Sequence, residues 1–147
     1  MARNTRFAVL IFFVLIGFGS ALSANAQDGV KVKVTNNTSE TLSKVKVTVG
    51  RIVGNGGIAN NANCGRKKTL ENKETFTRKC KSAPILQKKE YHAVRVKFVT
   101  QYGEKCNVLK PNSVKKGKGF GAGRSSKGPY NIKIGKKDLI ECTGRVI

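Results

Sequence analysis

The chain has 147 residues, with 29 Lys and Arg against 8 Asp and Glu, and a formal net charge of +21 at pH 7. That length excludes an array of several domains, and a charge so large excludes an electrostatically neutral body: the compact state repels itself and attracts polyanions. A single His excludes any acid–base mechanism built on two histidines.

The first element is a leader. Met1 to Phe7 carries Arg3 and Arg6 and no acid, Ala8 to Phe18 is unbroken apolar sequence, and Ala24-Asn25-Ala26 supplies small residues in an A-x-A pattern. Basic, apolar and small regions in that order describe a secretory signal peptide. The apolar run falls short of the ~20 residues that cross a bilayer. Residues 1–26 are therefore expected to be removed, leaving Gln27 as the new N-terminus and residues 27–147 as a single extracellular domain. Cleavage removes two cations and no acid, so the imbalance persists.

Beyond the leader the period is two. Val30, Val32 and Val34 alternate with Lys31, Lys33 and Thr35; Val45, Val47 and Val49 alternate with Lys44, Lys46 and Thr48. β-branched residues in strict alternation predict half-buried strands. The polar stretch Thr35–Leu42 between them predicts an antiparallel hairpin. Its Asn36-Asn37-Thr38 and Asn37-Thr38-Ser39 triplets are N-glycosylation sequons.

Gly50 to Cys64 is rich in Gly and Asn and reads as a loop, with a short strand end at Arg51–Val53. Gly65-Arg66-Lys67-Lys68 imitates a nuclear import signal, which in a secreted chain reads as an exposed basic run. Thr69–Leu70, a turn at Glu71–Glu74 and Thr75–Cys80 predict a second hairpin. Tyr91–Thr100 is the strongest strand, with His92, Val94, Val96 and Phe98 on one face and Tyr91, Ala93, Arg95 and Lys97 on the other. Lys105–Leu109, Tyr130–Ile134 and Leu139–Thr143 complete the elements. No stretch has the 3.6 period of a sustained amphipathic helix.

Many short strands between polar turns predict an all-β fold: a small, disulfide-stabilised antiparallel β-sandwich, Ig-like in architecture by analogy only, with a small β-barrel as the alternative. Four cysteines in a secreted chain predict two disulfides. Cys64–Cys80 and Cys106–Cys142 are the preferred pairs, on the expectation that neighbouring strands bring each together. With no C-x-x-C and one His, no metal site or cofactor is expected.

Lys115 to Gly128 reads KKGKGFGAGRSSKG, five basic residues and five glycines around Phe120. Neither G-x-x-x-x-G-K-[ST] nor G-x-G-x-x-G fits any register, and no helix pattern follows, so a nucleotide site is not predicted. Glycines still free backbone amides to approach an anion, and Phe120 is the candidate aromatic contact, on a base, a sugar or a membrane interface.

The expected function is that of a secreted, monomeric, non-catalytic protein that engages an anionic surface: acidic polysaccharide, anionic phospholipid or nucleic acid. The candidate anion-binding residues are Lys31, Lys33, Lys44 and Lys46, placed on one face of the predicted hairpin, with Lys115, Lys116, Lys118 and Arg124 in the loop. An effector or toxin delivered to another organism is the alternative. A ribonuclease-like enzyme is the third, resting on Glu90 and His92, which share strand parity and supply a carboxylate and an imidazole among cations.

Overall fold

A computed structural model describes residues 29–53, 56–114, 117–121 and 128–145. Seven strands and one helix follow in order: β1 (Val30–Asn37), β2 (Leu42–Val53), β3 (Gly57–Leu70), β4 (Thr75–Cys80), β5 (Tyr91–Val99), β6 (Lys105–Lys110), β7 (Tyr130–Gly135) and α1 (Lys136–Thr143). They form two sheets, β4-β1-β7 and β3-β2-β5-β6. The fold is an all-β sandwich of two layers, not a closed barrel.

The alternating valines form the core as their period demands. Val30, Val32 and Val34 are buried on one sheet; Val45, Val47 and Val49 are buried on the other, with Val94, Val96 and Phe98 beside them. The predicted β1–β2 hairpin is absent. β1 pairs with β4 and β7, and β2 pairs with β3 and β5. The two valine stripes face each other across the core instead of lying side by side. A period of two reports which face is buried and carries no information about which sheet a strand joins.

Polar groups replace the hairpin turn at this crossing. Asn36 is fully buried. Its Nδ2 donates to the carbonyls of Glu40 at 2.7 Å and Leu70 at 2.9 Å, and its Oδ1 accepts from the Thr38 N–H and hydroxyl. Every hydrogen-bonding atom of that side chain is satisfied, as burial requires. Of the two sequons, only the one beginning at exposed Asn37 presents an accessible amide.

The Gly- and Asn-rich stretch expected to be a loop is most of β3, which pairs with β2 from Leu42↔Leu70 to Val53↔Gly57. β3 lies at a sheet edge, and of its fourteen residues only Ala62, Cys64 and the terminal Leu70 are buried. Its partner β2 supplies the ordering that its own composition does not. The expected β3–β4 hairpin is likewise replaced: the turn after Leu70 carries the chain from one sheet to the other. β1 and β7 run parallel, a departure from the all-antiparallel expectation.

The C-terminal segment expected as a strand is α1. Asp138 accepts the Gly135 N–H at 2.8 Å and the Lys110 ammonium at 2.6 Å. Gly144, at φ 72°, closes the helix with its N–H on the Ile140 carbonyl. Two turns with Leu139 as the one deeply buried apolar residue are too short for a visible helical period.

Both preferred disulfides form, Cys64–Cys80 and Cys106–Cys142. Cys64–Cys80 joins β3 to β4, edge strands of opposite sheets. Cys106–Cys142 joins β6 to the helix that follows β7, and so ties the opposite flank. Each bridge therefore holds one layer to the other. The Cys64→Ser/Cys80→Ser variant is expected to lose about 3 kcal/mol, the chain-entropy value for a loop of this size, given the 16-residue separation. Urea unfolding of the variant and the wild type measures the difference.

Candidate functional site: two cationic faces

Splitting β1 from β2 also splits the four hairpin lysines. Lys44 and Lys46 belong to the outer side of the four-stranded sheet, Lys31 and Lys33 to the outer side of the three-stranded sheet. The expectation that all four share one surface is corrected by the strand pairing.

Each pair has new neighbours. In register, Lys46 lies between Arg66 of β3 and Lys97 of β5. Strands are ~4.8 Å apart, so three cations stand in a row across three strands. A groove of about 520 Å³ beside them is lined by Lys44, Lys46, Arg66, Lys67, Lys68 and Lys97, all cationic. A second groove shares Lys44 and Lys97 and extends the surface to Lys105. On the other sheet Lys31 lies directly opposite Lys79, and Thr35 opposite Lys133.

The described carboxylates are occupied elsewhere. Glu90 holds Arg51, Asp138 holds Lys110, and Glu40 and Glu104 both hold Arg145. Glu141 pairs with Lys137, and Glu71 accepts the Thr41 hydroxyl. Glu74 takes Lys67, the single groove cation so engaged. Among the described residues, Lys44, Lys46, Arg66, Lys68 and Lys97 have no carboxylate partner. Like charges directly opposite in a sheet are destabilising; these are left uncompensated and exposed to solvent.

Sequence reasoning missed Arg66, Lys68, Lys79 and Lys97 as site residues. The Arg66–Lys68 run and the parity of Lys97 were both visible, but register was needed to assemble them. Of the loop candidates, Lys115, Lys116 and Arg124 lie outside the described residues, and Lys118 is exposed.

Phe120 has a packing role. It stacks on Tyr130 with centroids 5.1 Å apart, and its backbone pairs with His92 in both directions. Gly119 makes that approach possible: a Cβ there would lie 2.6 Å from the His92 carbonyl oxygen and 2.5 Å from Ile52 Cδ1. Gly117, at φ 79°, lies against the Tyr91 ring. These glycines let the segment lie flat on β5.

Glu90 and His92 do not form an acid–base pair. His92 is fully buried. Its Nε2 lies 2.7 Å from the Pro84 carbonyl and its Nδ1 2.8 Å from the Tyr130 hydroxyl. A carbonyl only accepts, so Nε2 carries the proton and Nδ1 accepts from Tyr130. Both ring nitrogens are committed inside the protein, while Glu90 binds Arg51 and the Gln87 N–H.

No protein family and no curated relative matches the chain. Among solved structures it is similar to an NMR structure of a protein from Eubacterium rectale, at 19% identity over 76% of this chain and 81% of that one, with a TM-score of 0.44.

Burial pushes the His92 imidazole below its ordinary range, against the opposing effect of the Pro84 carbonyl. The unfolded chain takes up this proton near pH ~6.5, the folded chain only at lower pH. Between those points the unfolded state binds more protons, so stability falls as pH falls below ~6.5. Thermal melts between about pH 7.5 and 5.5 are expected to show this fall in the wild type and a flatter profile in His92→Gln, which starts lower near neutrality. Equal slopes would remove His92 from the pH response.

Proposed function

We propose that this is a secreted, non-catalytic protein that binds anionic polymers or surfaces, and that the outer side of the four-stranded sheet is its principal contact. The observation that carries this reading is the groove whose lining residues are all Lys and Arg, of which Lys67 alone meets a described carboxylate, that of Glu74. Sulfates, carboxylates and phosphates share the chemistry such a surface recognises, so acidic polysaccharides, anionic phospholipids and nucleic acids all fall within the class. The N-terminal leader pattern and two disulfides in a small chain support export.

The physical basis is relief of repulsion. Arg66, Lys46 and Lys97 are held near one another by the backbone ladder, not by attraction between side chains. An incoming anion lowers the energy of all three together and releases condensed counterions. Such a site is additive and tolerant in detail. Its signature is steep salt dependence, not a narrow ligand preference.

The test compares charge-matched variants on immobilised heparin and on duplex DNA. Lys46→Gln/Arg66→Gln/Lys97→Gln is expected to elute at distinctly lower salt than the wild type. Lys88→Gln/Lys89→Gln/Lys136→Gln, with the same net charge but substitutions away from the faces, is expected to shift much less. On DNA the salt slope is expected to fall by about 2–3 in the first variant, near ~0.9 per lost contact. Coincident elution of the two variants would reduce the surface to general stickiness.

A further inference from the structure

We infer that the protein is bivalent: it carries two anion-binding faces back to back and cross-links stiff acidic polysaccharide chains. This rests on the polyanion reading above and adds valency and ligand class to it. The first face is the Arg66–Lys46–Lys97 row with Lys44 and Lys68. The second is the outer side of the three-stranded sheet, where Lys31 stands opposite Lys79, Lys33 follows along β1, and Lys133 stands on β7. A groove of about 540 Å³ lies at its β4 edge, lined by Lys31 and Lys79 with Thr77, Gly29, Gly128 and Pro129, and by Arg78, whose side chain turns to the other side of β4 over the Phe76 ring. Among the described residues none of these four lysines meets a carboxylate.

The geometry makes the faces independent. Packed sheets are ~10 Å apart, and the lysines stand outward from both layers. Their charges are therefore separated by more than the ~8 Å screening length of physiological salt. A polymer on one face leaves the other charged and open. A stiff polyanion cannot fold back around a body this thin to occupy both sides; duplex DNA, for comparison, stays straight over ~50 nm. The second face is then available to a second chain.

Polysaccharide is favoured over single-stranded nucleic acid because, among the described residues, neither face presents an open aromatic platform on which bases stack. Tyr91, on the outer side of the four-stranded sheet, lies against Gly117. Tyr102, the exposed ring at the β5–β6 turn, is covered by the Arg145 guanidinium at 4.2 Å. An apolar cluster of Ile52, Ala93 and Val114 with Ile58, Tyr91 and Leu109 occupies one end of the outer four-stranded face; beyond it, both faces present cations suited to sulfate and carboxylate groups.

The experiment measures stoichiometry and cross-linking together. Calorimetry with a short heparin oligosaccharide is expected to give about two bound per chain for the wild type, and about one for each single-face variant. Those variants are Lys46→Gln/Arg66→Gln/Lys97→Gln and Lys31→Gln/Lys33→Gln/Lys79→Gln, checked as folded monomers by circular dichroism and sedimentation. With long heparin, the wild type is expected to scatter light strongly near charge equivalence and to clear when protein is in excess. Each variant is expected to bind without scattering. One oligosaccharide per wild-type chain, or scattering that survives in both variants, overturns bivalency while leaving the polyanion reading intact. Absence of wild-type binding to heparin overturns both. Cross-linking of duplex DNA without cross-linking of heparin overturns the choice of polysaccharide.

Discussion

Everything outside the core works against a repulsion that the two disulfides hold in check. The outer side of the three-stranded sheet and the Lys46 end of the four-stranded sheet are cationic, so the fold places like charges on either side of a thin apolar layer. Burial of the valine stripes draws the layers together; charge favours their separation and solvation. Cys64–Cys80 bonds the β3 and β4 edges, and Cys106–Cys142 bonds β6 to α1 on the opposite flank. The ion pairs reinforce this pattern. Lys110–Asp138 fastens β6 to the helix, and Arg145 carries the end of the chain to Glu40 and Glu104. Most of the described acids thus act at seams, and on the groove of the four-stranded sheet Glu74 meets Lys67 alone.

Much of this was legible in the residues. Alternation identified β1, β2, β5 and β7 and their buried faces, because that period depends only on which side meets the core. The disulfide partners were also readable, although the reason was not: the bridges cross between layers or reach a helix, and neither joins paired strands. Pairing itself was not legible. Nothing local to Val30–Val34 and Val45–Val49 distinguishes two strands side by side from two strands face to face; the pairing rests on distant partners, as the buried Asn36 does in bonding Leu70, 34 residues away. The cationic face was hidden for the same reason. Its members come from β2, β3 and β5, and one of those strands had the composition of a loop.

The glycine–lysine stretch shows how a residue pattern can mislead about purpose. Glycines among cations suggest a cradle for phosphate, yet Gly117 and Gly119 are required by the Tyr91 ring and the His92 backbone. Phe120, whose ring suggests an external contact, lies on Tyr130. Tyr130 in turn donates to His92, and His92 donates to Pro84. Stacking, hydrogen bonding and close backbone approach there form one continuous internal assembly, in which the lone histidine serves as a neutral strut.

The strand order has a consequence for how the chain acquires its shape. β1 is central in its sheet, and both of its neighbours come later: β4 ends at Cys80 and β7 at Gly135. The parallel β1–β7 ladder therefore joins the first strand of the fold to the last. A chain not yet synthesised as far as β7 leaves one edge of β1 bare and one side of the core uncovered. The four-stranded sheet can assemble from β2, β3, β5 and β6 beforehand, but the second layer closes only when the whole polypeptide is present. Such a topology defers completion of the core until β7 has been made, so that closing the second layer is the last step and not the first.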